Sequence, residues 1–147
     1  MEQAATGDAR DRRHGATYSI YGDVDVDALL ATATPWAPFT VWRKGDAVDR
    51  ARVAATSGVT IDIGEDADPI EPAILRFLLE DRPFLTAAAR LVSRSTRSVL
   101  TCRMHVHAGA PSRLALSPSA IAQLAAARVE LEIVAYPGST ADDPERR

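Results

Sequence analysis

The sequence predicts an α+β domain: a mostly antiparallel sheet with helices on one face, close to a ferredoxin-like arrangement with an added strand–helix–strand unit. Three observations carry that expectation. Several runs alternate apolar and polar residues with period two, as strands with one covered face do. Between them lie segments whose apolar residues recur three and four apart, the helical spacing. The order reads strand, helix, strand, strand, long helix, strand, strand, helix, strand. The 147 residues are 46% hydrophobic and 25% charged, which suits one domain with a core that needs no staples.

Residues 1–15 are polar, lack periodicity and are expected to form a disordered tail, His14 included. Residues 16–136 form the domain. Ala16 to Gly22 reads as the first strand, with Tyr18 and Ile20 on one face and Thr17, Ser19 and Tyr21 on the other. Asp23 or Asp25 caps a short helix marked by Val26, Leu29 and Leu30. Phe39 to Trp42 is a short strand that leads into a Gly45-Asp46 turn, and Ala47 to Thr56 is a loop. Ser57 to Ile63 is the next strand, with Val59, Ile61 and Ile63 inward and Thr60 and Asp62 opposite.

Asp68-Pro69-Ile70-Glu71 has the form of a capped helix start, with Pro69 in the first helical position. Ile74, Leu75, Leu78 and Leu79 then supply a buried stripe. Pro83 breaks this helix near Asp81 and Arg82, because proline removes a backbone donor and crowds the preceding turn. Phe84, Leu85, Ala88, Leu91 and Val92 resume the pattern. Ser98 to Ala108 is the longest strand, with Leu100, Cys102, Met104 and Val106 inward and Val99, Thr101, Arg103, His105 and His107 outward. Arg113 to Leu116 reads as its hairpin partner. A helix starts at Ser117-Pro118 and turns Ile121, Leu124 and Ala125 inward. The last strand, Val129 to Tyr136, has Val129, Leu131, Ile133 and Ala135 inward and Glu130, Glu132 and Tyr136 outward. Residues 137–147 form a second disordered tail.

The totals exclude several functions. A net charge of -3 provides no field for nucleic acid or an acidic membrane surface. No apolar run approaches a membrane span or a signal peptide. The single cysteine, Cys102, rules out an internal disulfide and a multi-cysteine zinc site, and a reducing cytoplasm is its simplest setting. On a core face it reads as structural rather than nucleophilic. No phosphate-binding glycine loop or nucleophile elbow is present, and no cofactor is expected.

Two stretches hold chemistry. In Trp42-Arg43-Lys44-Gly45-Asp46, Arg43 offers a planar fork, Lys44 (the only lysine) a point charge, and Trp42 a wall, so the stretch suits an anion. It equally suits a tight turn, with Gly45 left-handed and Asp46 bonded to local backbone. The second is the row Arg103, His105 and His107. Histidines of this spacing do acid–base work near neutral pH. They chelate a metal only if a third ligand such as Asp62, Glu130 or Glu132 joins them, and no metal is assigned. The bland counterpart is a solvated face whose charges pair across strands.

The opening Tyr18-Ser19-Ile20-Tyr21-Gly22-Asp23 with Asp25 and Leu29-Leu30, followed by Trp42-Arg43-Lys44-Gly45-Asp46, resembles the family called domain of unknown function 4279. The closing Leu114 to Ser117, Leu124-Ala125 and Leu131 to Tyr136 resemble it too. The likeness spans residues 16–136 and implies a bacterial, cytoplasmic single domain with no assigned activity. Family members often carry a second tryptophan on the strand after the turn; Ser57-Gly58-Val59-Thr60 has none.

Two functions stand from different classes. The first is a small cytoplasmic binding or interaction domain that engages a protein or small molecule on an open sheet face or exposed strand edge, with a homodimer among the arrangements kept open. The alternative is a cofactor-independent enzyme of specialised metabolism, a cyclase or isomerase. In it His105, His107, Asp62 and Glu130 supply acid–base groups, and Arg103, Trp42, Arg43, Lys44, Tyr21 and Tyr136 hold the substrate.

Overall fold

The computed structural model describes residues 14–65, 67, 69–106 and 113–137. Five strands and four helices follow in the order β1 (Gly15–Gly22), α1 (Val26–Thr32), β2 (Phe39–Trp42), β3 (Ser57–Glu65), α2 (Glu71–Glu80), α3 (Arg82–Ala89), β4 (Thr96–Val106), α4 (Pro118–Ala126) and β5 (Glu130–Pro137). The chain is α+β. Its sheet is mixed, ordered β2-β3-β1-β4-β5. The β2/β3, β3/β1 and β1/β4 pairings are antiparallel, and β4/β5 is parallel. A parallel neighbour needs a crossover, and α4 provides it.

β1 lies at the centre. Ala16, Tyr18 and Ile20 project from it into the core, where they meet Val59 and Ile61 of β3 and Leu100 and Cys102 of β4. The helices close this side with Leu29, Ile74, Phe77, Leu78, Phe84, Leu85, Ala88, Ala120 and Leu124. Tyr18 is fully buried between the rings of Phe77 and Phe84, at centroid distances of 5.4 and 6.2 Å. Its hydroxyl shares a 2.7 Å hydrogen bond with the buried Ser98 hydroxyl, so neither polar group enters the core unsatisfied. Burial pushes the Tyr18 hydroxyl up to about 12, against a smaller opposing effect of that bond. Where β1 ends, Gly22 has φ 131°, and a Cβ there would stand 2.0 Å from the Ser95 carbonyl oxygen. Only glycine lets the strand leave the sheet so close to that backbone.

The local signals mostly hold. Asp25 caps α1, its carboxylate accepting from Ala28 N at 3.1 Å. Ser117 caps α4 in the same way through Ala120 N. The helix breaks before Pro83: α2 ends at Glu80 and α3 begins at Arg82. The joint residue Asp81 is buried, and its carboxylate accepts from Trp36 N at 2.6 Å, tying the break to the loop before β2.

Several expectations need correction. Asp68 and His107 lie outside the described residues. α2 starts at Glu71, after Pro69, with Pro72 in its first turn and no side-chain cap on Ile70. Its buried stripe is Ile74, Phe77 and Leu78; Leu75 and Leu79 face solvent because Phe77 takes the seat against Tyr18. α3 stops at Ala89, so Leu91 and Val92 lie beyond it. Residues 113–116 form no strand. Ala115 N donates instead to the Glu71 carboxylate at 2.7 Å, and β5 takes the place beside β4. On α4, Ala120 and Leu124 are buried while Ile121 and Ala125 are exposed. On β5, Leu131, Ile133 and Ala135 are exposed, since an edge strand lies beyond the reach of the helices. Val99, assigned to the wet face, is 5% exposed. β1 starts at Gly15, one residue inside the expected tail.

Tyr18→Phe should cost about 1–2 kcal/mol in urea unfolding, because it strands the Ser98 hydroxyl. Ser98→Ala in the same chain should recover most of that loss. Glu71 gives a pH signature. The Ala115 N–H holds its carboxyl below the ordinary value of 4.5. A lowered folded value means stability that is complete above the unfolded carboxyl range and lost as pH falls through the folded one. The urea midpoints of the native chain and Glu71→Gln should therefore differ near neutrality and converge as pH falls below the ordinary carboxyl range.

Candidate functional site

The outer face of the sheet carries the polar members of each strand, and the register sets them in rows. One row runs Trp42, Gly58, Tyr21, Arg97 across β2, β3, β1 and β4. Trp42 is half-buried with its indole over Gly58; a Cβ on Gly58 would lie 2.4 Å from the ring. Filling a glycine's vacancy with a cross-strand aromatic is a known sheet device. Arg97 stands over the Tyr21 ring at 5.8 Å and donates to its hydroxyl at 3.0 Å. Arg97 Nε also donates to the Glu130 carboxylate at 2.9 Å, which raises its own proton affinity.

A second group forms at the opposite end of β4. His105 and Tyr136 are register partners with ring centroids 6.0 Å apart. The His14 ring lies 5.2 Å from His105, and His14 Nε2 accepts from His105 N at 3.2 Å. Only the neutral imidazole can fill that acceptor role. Arg103 donates to Thr17 Oγ1 at 3.3 Å, while its buried Nε has no partner among the described residues. Between the two groups, Ser19 and Thr60 share a 2.9 Å hydrogen bond across β1 and β3.

This arrangement separates the residues proposed for one site. Arg97, in the tryptophan row, is eight positions from His105 along β4, about 26 Å at strand spacing. Glu130 pairs with Val99, six positions and about 20 Å from His105. Asp62 aligns with Thr17, which aligns with Thr101, four positions from His105. Asp62 also borders a pocket of about 280 Å³, walled by Trp36, Pro38, Phe77 and Asp81. Among the described residues no three of His, Cys, Asp or Glu gather to hold a metal ion.

The Trp42–Asp46 stretch is a turn. Gly45 has φ 94°, and Asp46 accepts from Arg43 N at 2.7 Å. Arg43 is committed to Asp27 at 2.6 Å, which holds the Asp27 carboxyl below its usual range. Both partners are more than half exposed, so the pair contributes little to stability. Lys44 is exposed, and its backbone N–H donates to Ser57 Oγ. Together these residues edge a small recess of about 170 Å³ with Asp25. Cys102 is fully buried in the core, and burial pushes its thiol up to about 11.

Two features escaped sequence reasoning. His14 joins the histidine group from a segment read as tail; the alternation of β1 stops at Gly15, so no periodic signal reached it. A groove of about 450 Å³ runs between α3 and α4, floored by Leu78, Leu85, Ala89 and Ala126 and flanked by Arg82 and Arg90. The spacing of Arg82, Thr86 and Arg90 along one helical stripe was its only trace in the sequence. No known protein family, curated protein or solved structure matches the chain.

Gly58→Ala should push the Trp42 ring off the sheet, since its Cβ also meets the Ile20 carbonyl at 2.7 Å. Unfolding should show a loss of about 1–3 kcal/mol, and tryptophan emission should shift to longer wavelength.

Proposed function

We propose that this chain is a non-catalytic interaction module that engages a protein partner by strand addition at β5, supported by the adjoining outer sheet face. One observation carries the reading. β5 is an eight-residue edge strand with one backbone edge paired to β4, and its Leu131 and Ile133 are 45% and 54% exposed. Long edges of this kind are templates for another chain, and proteins usually blunt them with lysine, a bulge or a covering element. β5 carries no lysine, its charges and its proline lie toward its two ends as Glu130, Glu132 and Pro137, and its pairing to β4 runs without a register shift.

The outer face fits the same role. It carries the Arg97–Glu130 ion pair, with the Tyr21 hydroxyl accepting from the same arginine. A cyclase or isomerase reading is weakened by the register, which holds His105 and Glu130 about 20 Å apart. The other opposite edge, β2, is only four residues long. A cytoplasmic setting suits an unpaired, buried Cys102. No helix among the described residues is long and apolar enough to cross a membrane. The sequence likeness to domain of unknown function 4279 supports a bacterial source for the module.

Ile133→Glu adds a charge to an already exposed side chain, so folding should be unaffected. In the native cells, the tagged chain should lose its partner complex on native gels. His105→Ala should leave the complex intact. The reverse pattern would sink strand addition at β5 and restore the histidine group as the site.

A further inference from the structure

We infer that the partner at β5 is a second copy of this chain, paired antiparallel about a two-fold axis centred on Ile133; this rests on the strand-addition reading above. The argument comes from which registers the strand's own side chains permit. A two-fold axis perpendicular to a sheet keeps each face on its own side, so it must pass through a residue, not between two. The helix-side residues of β5 are Leu131, Ile133 and Ala135, because Leu131 and Ile133 align with core-facing Leu100 and Cys102. The outer-side residues are Glu130, Glu132, Val134 and Tyr136.

Charge then eliminates most centres. An axis at Leu131 sets Glu130 of each copy opposite Glu132 of the other. An axis at Glu132 sets that carboxylate against its own image. Like charges directly opposite destabilise a pair of strands. An axis at Val134 avoids this but brings Pro137, which lacks an N–H, opposite Leu131 inside the paired segment. The axis at Ile133 has neither fault. Glu132 lies opposite Val134, and Glu130 opposite Tyr136. On the helix side Ile133 packs on its image and Leu131 on Ala135. The two large exposed aliphatic side chains of the strand are thereby covered by the same strand of the other copy. The product is one continuous ten-stranded sheet, made from two five-stranded ones. Its outer face joins the polar rows of both copies, and β2 remains the edge at each end.

The test is light scattering with single-cysteine chemistry. Cys102 is fully buried and stays in place, so the native chain is the background for disulfide formation. The native chain should show twice the mass of one chain from micromolar to millimolar concentration. Ile133→Cys should oxidise to a covalent dimer, whereas Val134→Cys, displaced from its image by the register, should stay largely reduced. Ile133→Glu, which sets two carboxylates face to face, should be monomeric with unchanged circular dichroism. A native chain that is monomeric throughout, or Val134→Cys oxidising as readily as Ile133→Cys, overturns the inference. If that monomer still forms a complex with a different protein that Ile133→Glu dissolves, self-association fails and strand addition at β5 stands. If Ile133→Glu alters neither mass nor complex, both fail.

Discussion

Strand β1 has no free backbone edge. β3 and β4 pair along its whole length, so its side chains have only the two sheet faces to choose between. Period two then decides the contents of each face. Ala16, Tyr18 and Ile20 must be accommodated by the helices, and Tyr18 determines how. Its ring needs aromatic walls and its hydroxyl needs a partner, and Phe77, Phe84 and Ser98 supply them from α2, α3 and β4. The rotation of α2, with Phe77 inward and Leu75 outward, follows from filling that one seat. The break at Asp81 lets α3 deliver Phe84 to the same ring from a second direction.

The same alternation explains why the outer face sets its polar groups in separate rows. Thr17, Ser19 and Tyr21 follow one another along β1, and each draws its own neighbours from β3 and β4. The result is a set of separate rows. Tyr21 collects Trp42 and Arg97, Ser19 collects Thr60, and Thr17 collects Arg103. A flat sheet spreads such groups at strand spacing, whereas reacting groups must converge on one point.

What was legible in the sequence was local. The strand β1 with its two faces, the Asp25 and Ser117 caps, the break at Pro83, the left-handed Gly45 and the buried Cys102 each follow from residues within a few positions. Strand order, by contrast, depends on tertiary choice. Residues 113–116 have strand-like character, yet their backbone is claimed by Glu71, forty-four positions earlier. Leu131 and Ile133 have the apolar alternation of a buried strand, and they lie at an edge where the helices do not reach. Nothing in a periodic pattern says which strand will be outermost. The candidate residues were found singly, but their separation could be read only from the register.

The parallel seating of β5 has a consequence for the order in which the molecule is made. β5 is the last of the five strands to be synthesised, and its only partner is β4. The four earlier strands already complete an unbroken antiparallel ladder with Tyr18 at its centre. While α4 and β5 are still within the ribosome, the eleven-residue β4 therefore presents an open margin to the cell. Adding β5 moves that margin outward by one strand and does not remove it. The nascent chain and the finished one thus face a similar hazard at the same side of the sheet, and closing it requires one more strand than the described residues of a single copy provide.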